Sequence, residues 1–346
     1  MTALASLALA LAAAARLEVP VGGSVEAVLA TARPGDAIAV GPGEYRTPLG
    51  HLSDLRITGA GAGVTVLIVP PGEEGAVATG PLALARLTIV AGPGRSALAV
   101  LGGRATLTDV ALLGGACGAF VEAGRLDGTE VLLGGDYGLL VHGGEVRLRG
   151  VTASGRRAGV ALLAGTLDLA GAAVTGPSAE AGVTVSGGIA RLAEVIVRAP
   201  GPTGVAVSGG ELSARDLTVA GSREASGFLG DCLQVQRATV RLEASELVAC
   251  GGAAVEGAHA ALQLAGVTAA GGEAGCIVLT DGSRAELDGT LCTHRGPGLV
   301  ATGGAQVTAR AARFWTDPEL WIDRGSGARF DRLDPPTARR ARPPPP

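Results

Sequence analysis

The 346-residue sequence contains no lysine. That absence excludes a phosphate-binding P-loop, which needs one, and any Schiff-base chemistry on a lysine amine. Aromatic residues make up only 2% of the chain and charged residues 17%, with a net charge of −4. Such a balance carries no electrostatic signature of a nucleic-acid partner. The four histidines, His51, His142, His259 and His294, are scattered without zinc-ligand spacing. No G-x-S-x-G elbow occurs, and Gly59-Ala60-Gly61-Ala62-Gly63 lacks the dinucleotide-binding spacing. No metal and no cofactor are expected. Beyond the N-terminus, no apolar run is long enough and free enough of charge to cross a bilayer.

Glycine is abundant instead, with 57 residues, and it recurs with a period. Taking Gly182 as an origin, the pattern GVTVSGGIARLAEVIV has counterparts starting at Gly75, Ala97, Gly118, Gly138, Gly159, Gly204, Cys232, Ala254, Cys276 and Gly298, mostly 20–23 residues apart. A period in this range marks a solenoid. Each unit carries three apolar pairs with strand alternation, such as Val183/Val185, Val146/Leu148 and Val195/Val197. Glycine pairs such as Gly187-Gly188 and Gly209-Gly210 supply tight corners between the first and second pairs. Three strands per unit define three faces. One unit buries too little apolar surface to stand alone, so the units stack at roughly 4.8 Å. The expected fold is all-β: a right-handed parallel β-helix solenoid of about eleven coils, with the hand set by the crossover rule.

The ends are read separately. Residues 1–15 contain the apolar run ALASLALALAAAA and are expected to be a signal peptide, although no basic residue precedes the run; an uncleaved N-terminus is the alternative. The mature protein is then exported, to a periplasmic, cell-surface or extracellular location. Residues 16–74 are expected to form an N-terminal cap and first strands, with Ser24 capping a helix that presents Val25, Val28, Leu29 and Ala32 and stops at Pro34-Gly35. The coils occupy 75–315. A C-terminal cap over 316–334 holds Trp321 and Phe330, which with Phe314 and Trp315 are expected to close the core; a sugar-stacking platform is the second reading. The Pro/Arg segment 335–346 is expected to be a disordered tail.

Five cysteines, Cys117, Cys232, Cys250, Cys276 and Cys292, are distributed so that no two share a position in adjacent coils. Free, buried thiols are expected, with Cys250 near Cys276 the one approach that irregular turns allow.

The order of elements from Ser24 to Tyr45 (helix, Pro34-Gly35-Asp36, strand, Pro42-Gly43-Glu44-Tyr45), followed by Leu55-Arg56-Ile57-Thr58-Gly59 and the coils, resembles parallel β-helix proteins of the pectin-lyase-like superfamily. The resemblance covers about residues 17–315 and implies the fold. That superfamily includes lyases, hydrolases, esterases, epimerases and surface proteins, so it leaves the activity open. The catalytic motifs of its pectate lyases, polygalacturonases and pectin methylesterases are missing: no Asp-Asp pair, Asn-Thr-Asp, Gly-His-Gly or Arg-x-Lys is present.

Charge along the coils sorts into classes. Asp127, Arg147, Asp168 and Arg191 fall at one outward position of the second face and are expected to form a structural ladder, each opposite-charge pair contributing about 0.2–1 kcal/mol. Asp109, Glu130, Glu194 and Asp216 recur before the third strand and are expected to bind corner amides. The first face is apolar outside at Ala99, Phe120, Leu140, Ala161 and Ala206, flanked by Leu101 and Leu163, which offers a surface for a partner protein or for oligomerisation. It turns polar at Gln234, Gln236 and Glu256, beside the one long insertion, 221–231. Register is expected to bring Arg223, Glu224, Asp231, Gln234, Gln236, Glu256, His259 and Asp281 together. If that patch is catalytic, Asp231 or Glu256 is the acid/base and Arg223 neutralises a substrate carboxylate. A solvated polar patch on a scaffold that binds a polysaccharide or an envelope protein is the preferred reading, with a polysaccharide lyase or glycoside hydrolase as the alternative.

Overall fold

A computed structural model describes residues 14–331 apart from 177, 199–200, 223–229, 273, 294–295 and 317–319. The chain winds through three parallel ladders. The second face begins at Arg16–Val19 and ends at Gly327–Asp331, the third runs from Gly43–Arg46 to Arg313–Trp315, and the first from Gly50–Leu52 to Leu320–Ile322. Neighbouring rungs pair in parallel, with Leu17 opposite Ile38 at one end and Ala309 opposite Phe330 at the other. This is a parallel β-solenoid of about 14 turns, more than the eleven coils expected. The additional turns come from segments at both ends that join the ladders without repeating the apolar pattern.

The core is a set of columns. One of them, within the second face, stacks Leu17, Ile38, Ile57, Leu84, Leu107, Gly128, Leu148, Leu169, Leu192, Ala214, Leu242, Leu264, Leu287, Ala309 and Phe330 on successive rungs. Burying each leucine or isoleucine there contributes about 1.5–3 kcal/mol. Gly128 is the gap in the column because a Cβ there would lie 2.8 Å from the Leu148 side chain. Corners repeat as strictly. Between the first and second faces the chain turns through left-handed Gly124, Gly144, Gly165, Gly188 and Gly210. At Gly188 a Cβ would meet the Gly165 carbonyl at 2.3 Å, so only glycine fits.

Helix α1, Val25–Thr31, starts at Ser24, whose hydroxyl accepts the Ala27 amide at 3.1 Å. Val25 is buried, and Val28, Leu29 and Ala32 pack against the core, as the spacing predicts. Asp36 accepts the amides of Arg33 and Ala15, both at 2.8 Å, which ties the chain after the helix to the first strand. At the far end the aromatic residues divide. Phe314 is buried and meets Phe330 edge-on at 6.4 Å, closing the core, while Trp315 and Trp321 face outward.

Two expectations are corrected. Cys232 is joined to Cys250 (Cα–Cα 5.3 Å) and Cys276 to Cys292 (6.0 Å), leaving Cys117 as the free, buried thiol. Equal positions on stacked rungs were the wrong comparison. A coil returns to its starting corner before the next begins, so its first strand and the end of its third come within bonding distance. The acidic corner residues Asp109, Glu130, Glu194 and Asp216 have φ of 52–55°. No side-chain hydrogen bond from them to a corner amide is present among the described residues, and Asp216 pairs with Arg215 at 3.4 Å. Their recurrence reflects a left-handed corner, where short polar residues are tolerated better than branched ones.

Candidate functional site

Asp231 opens the strand Asp231–Gln236 on the first face. Its column holds uncharged residues elsewhere: Thr203 is its ladder partner, Ala158 pairs with Tyr137 and with Ala181, and Ala253 pairs with Gly275. A carboxyl group in this row is therefore unusual within the chain itself. It is 2% exposed, and its Oδ1 accepts the Ala253 amide at 2.6 Å. Burial, and then the hydrogen bond and charge of the neighbouring Glu256 carboxyl, push Asp231 up to about 7 from 3.8, against the opposing pull of the Ala253 amide. That raised value keeps the Asp231 carboxyl partly protonated near neutral pH, at the inside of the corner.

Glu256 is half-buried on the next rung, directly opposite Gln234, whose Nε2 donates to its Oε2 at 3.5 Å. The same outward column continues through Val278 and Val300 to Trp321. Trp321 stands three rungs beyond Glu256, roughly 14 Å along the axis. Gln236, two residues after Gln234, is exposed on the same strand. Five residues, Asp231, Gln234, Gln236, Glu256 and Trp321, thus share one polar and aromatic strip.

His259 and Asp281 do not join it. They follow the trailing ends of their strands at the corner between the first and second faces, roughly 20 Å along the strand direction from the level of Asp231. His259 lies there with Arg237 and Arg284 around an open cleft of about 460 Å³. Arg223 and Glu224 lie outside the described residues.

The expected ladder on the second face is present, with Asp168 receiving both Arg147 (3.4 Å) and Arg191 (3.3 Å). Asp127 turns the other way, to Arg125 (2.7 Å) and Arg104 (2.9 Å), and these contacts hold its carboxyl below the usual range. Outside the first face, Phe120, Leu140, Ala99 and Ala206 are half-buried and Ala161 is buried. The sequence reading missed the third face, where Leu113 and Leu132 stand exposed beside Val66 and Val90 around a groove of about 660 Å³ with Asp109 and Glu130 in its lining. It also missed a cluster at the corner before the first face, where Arg157 bonds Glu180 at 2.5 Å and lies 5.0 Å from the Tyr137 ring centre.

Among the described residues no group of three or more His, Cys, Asp or Glu is placed to hold a metal, and no helix is long and apolar enough to span a membrane.

The three ladders and their columns define the class, a parallel β-helix, as the resemblance of the opening segment implies. No family profile matches the sequence, and no curated protein does. Among solved structures, the chain is similar to the A-module of mannuronan C-5 epimerase AlgE4 from Azotobacter vinelandii, with 13% identity, a TM-score of 0.47, and coverage of 90% of this chain and 92% of that one. It is also similar to the catalytic unit of a GH87 alpha-1,3-glucanase from Streptomyces thermodiastaticus (13% identity, TM-score 0.43, 92% and 70% covered). A third is a pectin methylesterase in complex with a hexasaccharide (11% identity, TM-score 0.31, 74% and 80% covered). These likenesses describe the path of the chain and carry no residue across, so function is argued from this chain's own side chains.

Proposed function

We propose that this chain is an exported β-helix protein that binds a glycan along the outer first face between Glu256 and Trp321. The observation that carries this reading is the single outward column Gln234, Glu256, Val278, Val300, Trp321. It sets hydroxyl-recognising amide and carboxyl groups at one end and an exposed aromatic side chain at the other, with Val278 and the buried Val300 between them. Sugars present this combination in reverse, with hydroxyl rims and apolar ring faces. Two disulfides support an oxidising compartment. Titrating the protein with a panel of neutral and uronate polysaccharides while following tryptophan fluorescence tests the reading. Binding is expected to be weakened at least tenfold in Trp321→Ala and Glu256→Gln; wild-type affinity in both variants sinks it.

A second reading is favoured by one observation, the buried Asp231 carboxyl raised to about 7 by burial and by the neighbouring Glu256. In it the chain is a carbohydrate-active enzyme in which Glu256, facing the strip, exchanges a proton with the glycan and Asp231 holds that proton in reserve. Reducing-sugar release and ultraviolet absorbance of unsaturated ends, measured on the same polysaccharides, decide between the two. Activity abolished by Glu256→Gln and reduced by Asp231→Asn makes the protein an enzyme, and its absence on every polymer bound leaves the scaffold.

A further inference from the structure

The cleft at the corner between the first and second faces has a different chemistry. In five earlier coils this corner turns through a left-handed glycine, yet here Arg237 and His259 hold φ of 51°. The same left-handed conformation recurs at other corners of the chain, at Asp109 and Ala311 among others, and here it carries two basic side chains. The floor of the cleft is Gly210, Ala238, Ala260, Ala261 and Gly282, none with a side chain longer than a methyl group. Arg237 and His259 follow ladder partners, Gln236 and Ala258, so they are adjacent along the axis. Arg284 stands opposite Ala261 one rung further on. The three basic side chains therefore ring an unfilled space, and none of them has an ion-pair partner among the described residues. Neighbouring carboxylates are engaged elsewhere: Asp281 takes the Thr280 hydroxyl at 3.0 Å, and Glu286 accepts from Gln263 at 3.5 Å.

From this arrangement we infer that Arg237, His259 and Arg284 form an oxyanion site that takes a sulfate or phosphate ester group carried on a polysaccharide. Two guanidinium groups offer paired N–H donors to tetrahedral oxygens, and the imidazole adds a third direction of approach. The site is distinct from the column Gln234, Glu256 and Trp321 of the first face, which lies three residues, roughly 10 Å, back along the same strands.

The full chain is titrated by calorimetry with inorganic phosphate, with inorganic sulfate, and with dextran sulfate against uncharged dextran, at constant ionic strength set by chloride. Saturable binding of at least one anion is expected, weakened at least tenfold in Arg284→Gln and in the double variant Arg237→Gly/His259→Gly. Because glycine is at ease in this corner, the double variant is expected to melt no lower than the parent, which separates loss of binding from loss of fold. Dextran sulfate binding more tightly than inorganic sulfate assigns the site to an ester on a polymer. Free anions binding as well as the polymer, uncharged dextran matching dextran sulfate, or variants that bind every anion like the parent each overturn the proposal.

Discussion

Replacing Asp231 with asparagine removes the one strongly displaced titration in the site while keeping its shape. The asparagine carbonyl can still accept the Ala253 amide, and its NH2 group replaces the second carboxyl oxygen without a titrating proton. In the parent, the Asp231 carboxyl is raised from 3.8 to about 7, first by burial and second by Glu256. A folded state that holds a proton more tightly than the unfolded chain loses stability as pH rises, because unfolding releases that proton. The loss begins near the unfolded value and is complete once pH passes about 7. At about 1.36 kcal/mol per unit the whole displacement corresponds to about 4 kcal/mol. Coupling to the neighbouring Glu256, which solvent reaches, reduces what is felt to about 2 kcal/mol.

Guanidinium unfolding followed by circular dichroism at pH 4.5, 6 and 8 measures this, with the parent and Asp231→Asn compared at each pH so that every other titrating group cancels. The variant is expected to gain about 2 kcal/mol on the parent between pH 4.5 and 8. A stability difference that stays constant over that interval, or that moves in the parent's favour as pH rises, refutes the raised Asp231 carboxyl. It would remove the basis of the enzymatic reading with it.

Three further outcomes are expected. Denatured, unreduced protein should titrate one thiol, that of Cys117, and Cys232→Ser/Cys250→Ser should lower unfolding stability by about 3 kcal/mol, as expected for opening a loop with a sequence separation of 18. Leu148→Ala, in the central column beneath Gly128, should cost about 2–5 kcal/mol in chemical denaturation, because no neighbouring side chain can follow into a cavity bounded by fixed ladders. Two amides hold the Asp36 carboxyl below its usual range, so the stability it contributes is present at neutral pH and lost as pH falls through that lowered value; Asp36→Asn should flatten the acid limb of the melting-temperature profile.

Much of the fold is legible in the sequence because a solenoid repeats its constraints. Val183/Val185 and their counterparts are buried in every coil, and each recurrence confirms the period of the others. Where constraint comes from ladder pairing alone, the pattern is silent. The strands Arg16–Val19 and Gly327–Asp331 extend the second face although neither shows the repeat, since an end rung has one neighbour to satisfy instead of two. The corner acids were visible as a recurrence, but not its cause. Asp109 and Ala311 hold the same left-handed turn with different side chains, so the backbone conformation, which the sequence does not spell, was the common factor.

The candidate site divides along the same line. Register fixes which residues share a rung, and it correctly joins Gln234 to Glu256. Register is blind to distance along the strand, so it merges Asp231 at the leading end with His259 beyond the trailing end, although the six-residue strand Asp231–Gln236 runs its whole length before Arg237. The signal that separates them was present in the chain, in the columns instead of the rungs: Asp231 puts a carboxyl into an otherwise uncharged row, and at the corner the left-handed glycines give way to alanines preceded by Arg237 and His259. In a molecule built from repeats, a residue that breaks its own column has been kept against the packing or backbone preference of that column. Two such breaks, at opposite ends of the same strands and of opposite charge character, argue for two sites with separate ligands. Their independence is measurable: Glu256→Gln should leave anion binding at the corner unchanged, and Arg284→Gln should leave the tryptophan response to a neutral glycan unchanged.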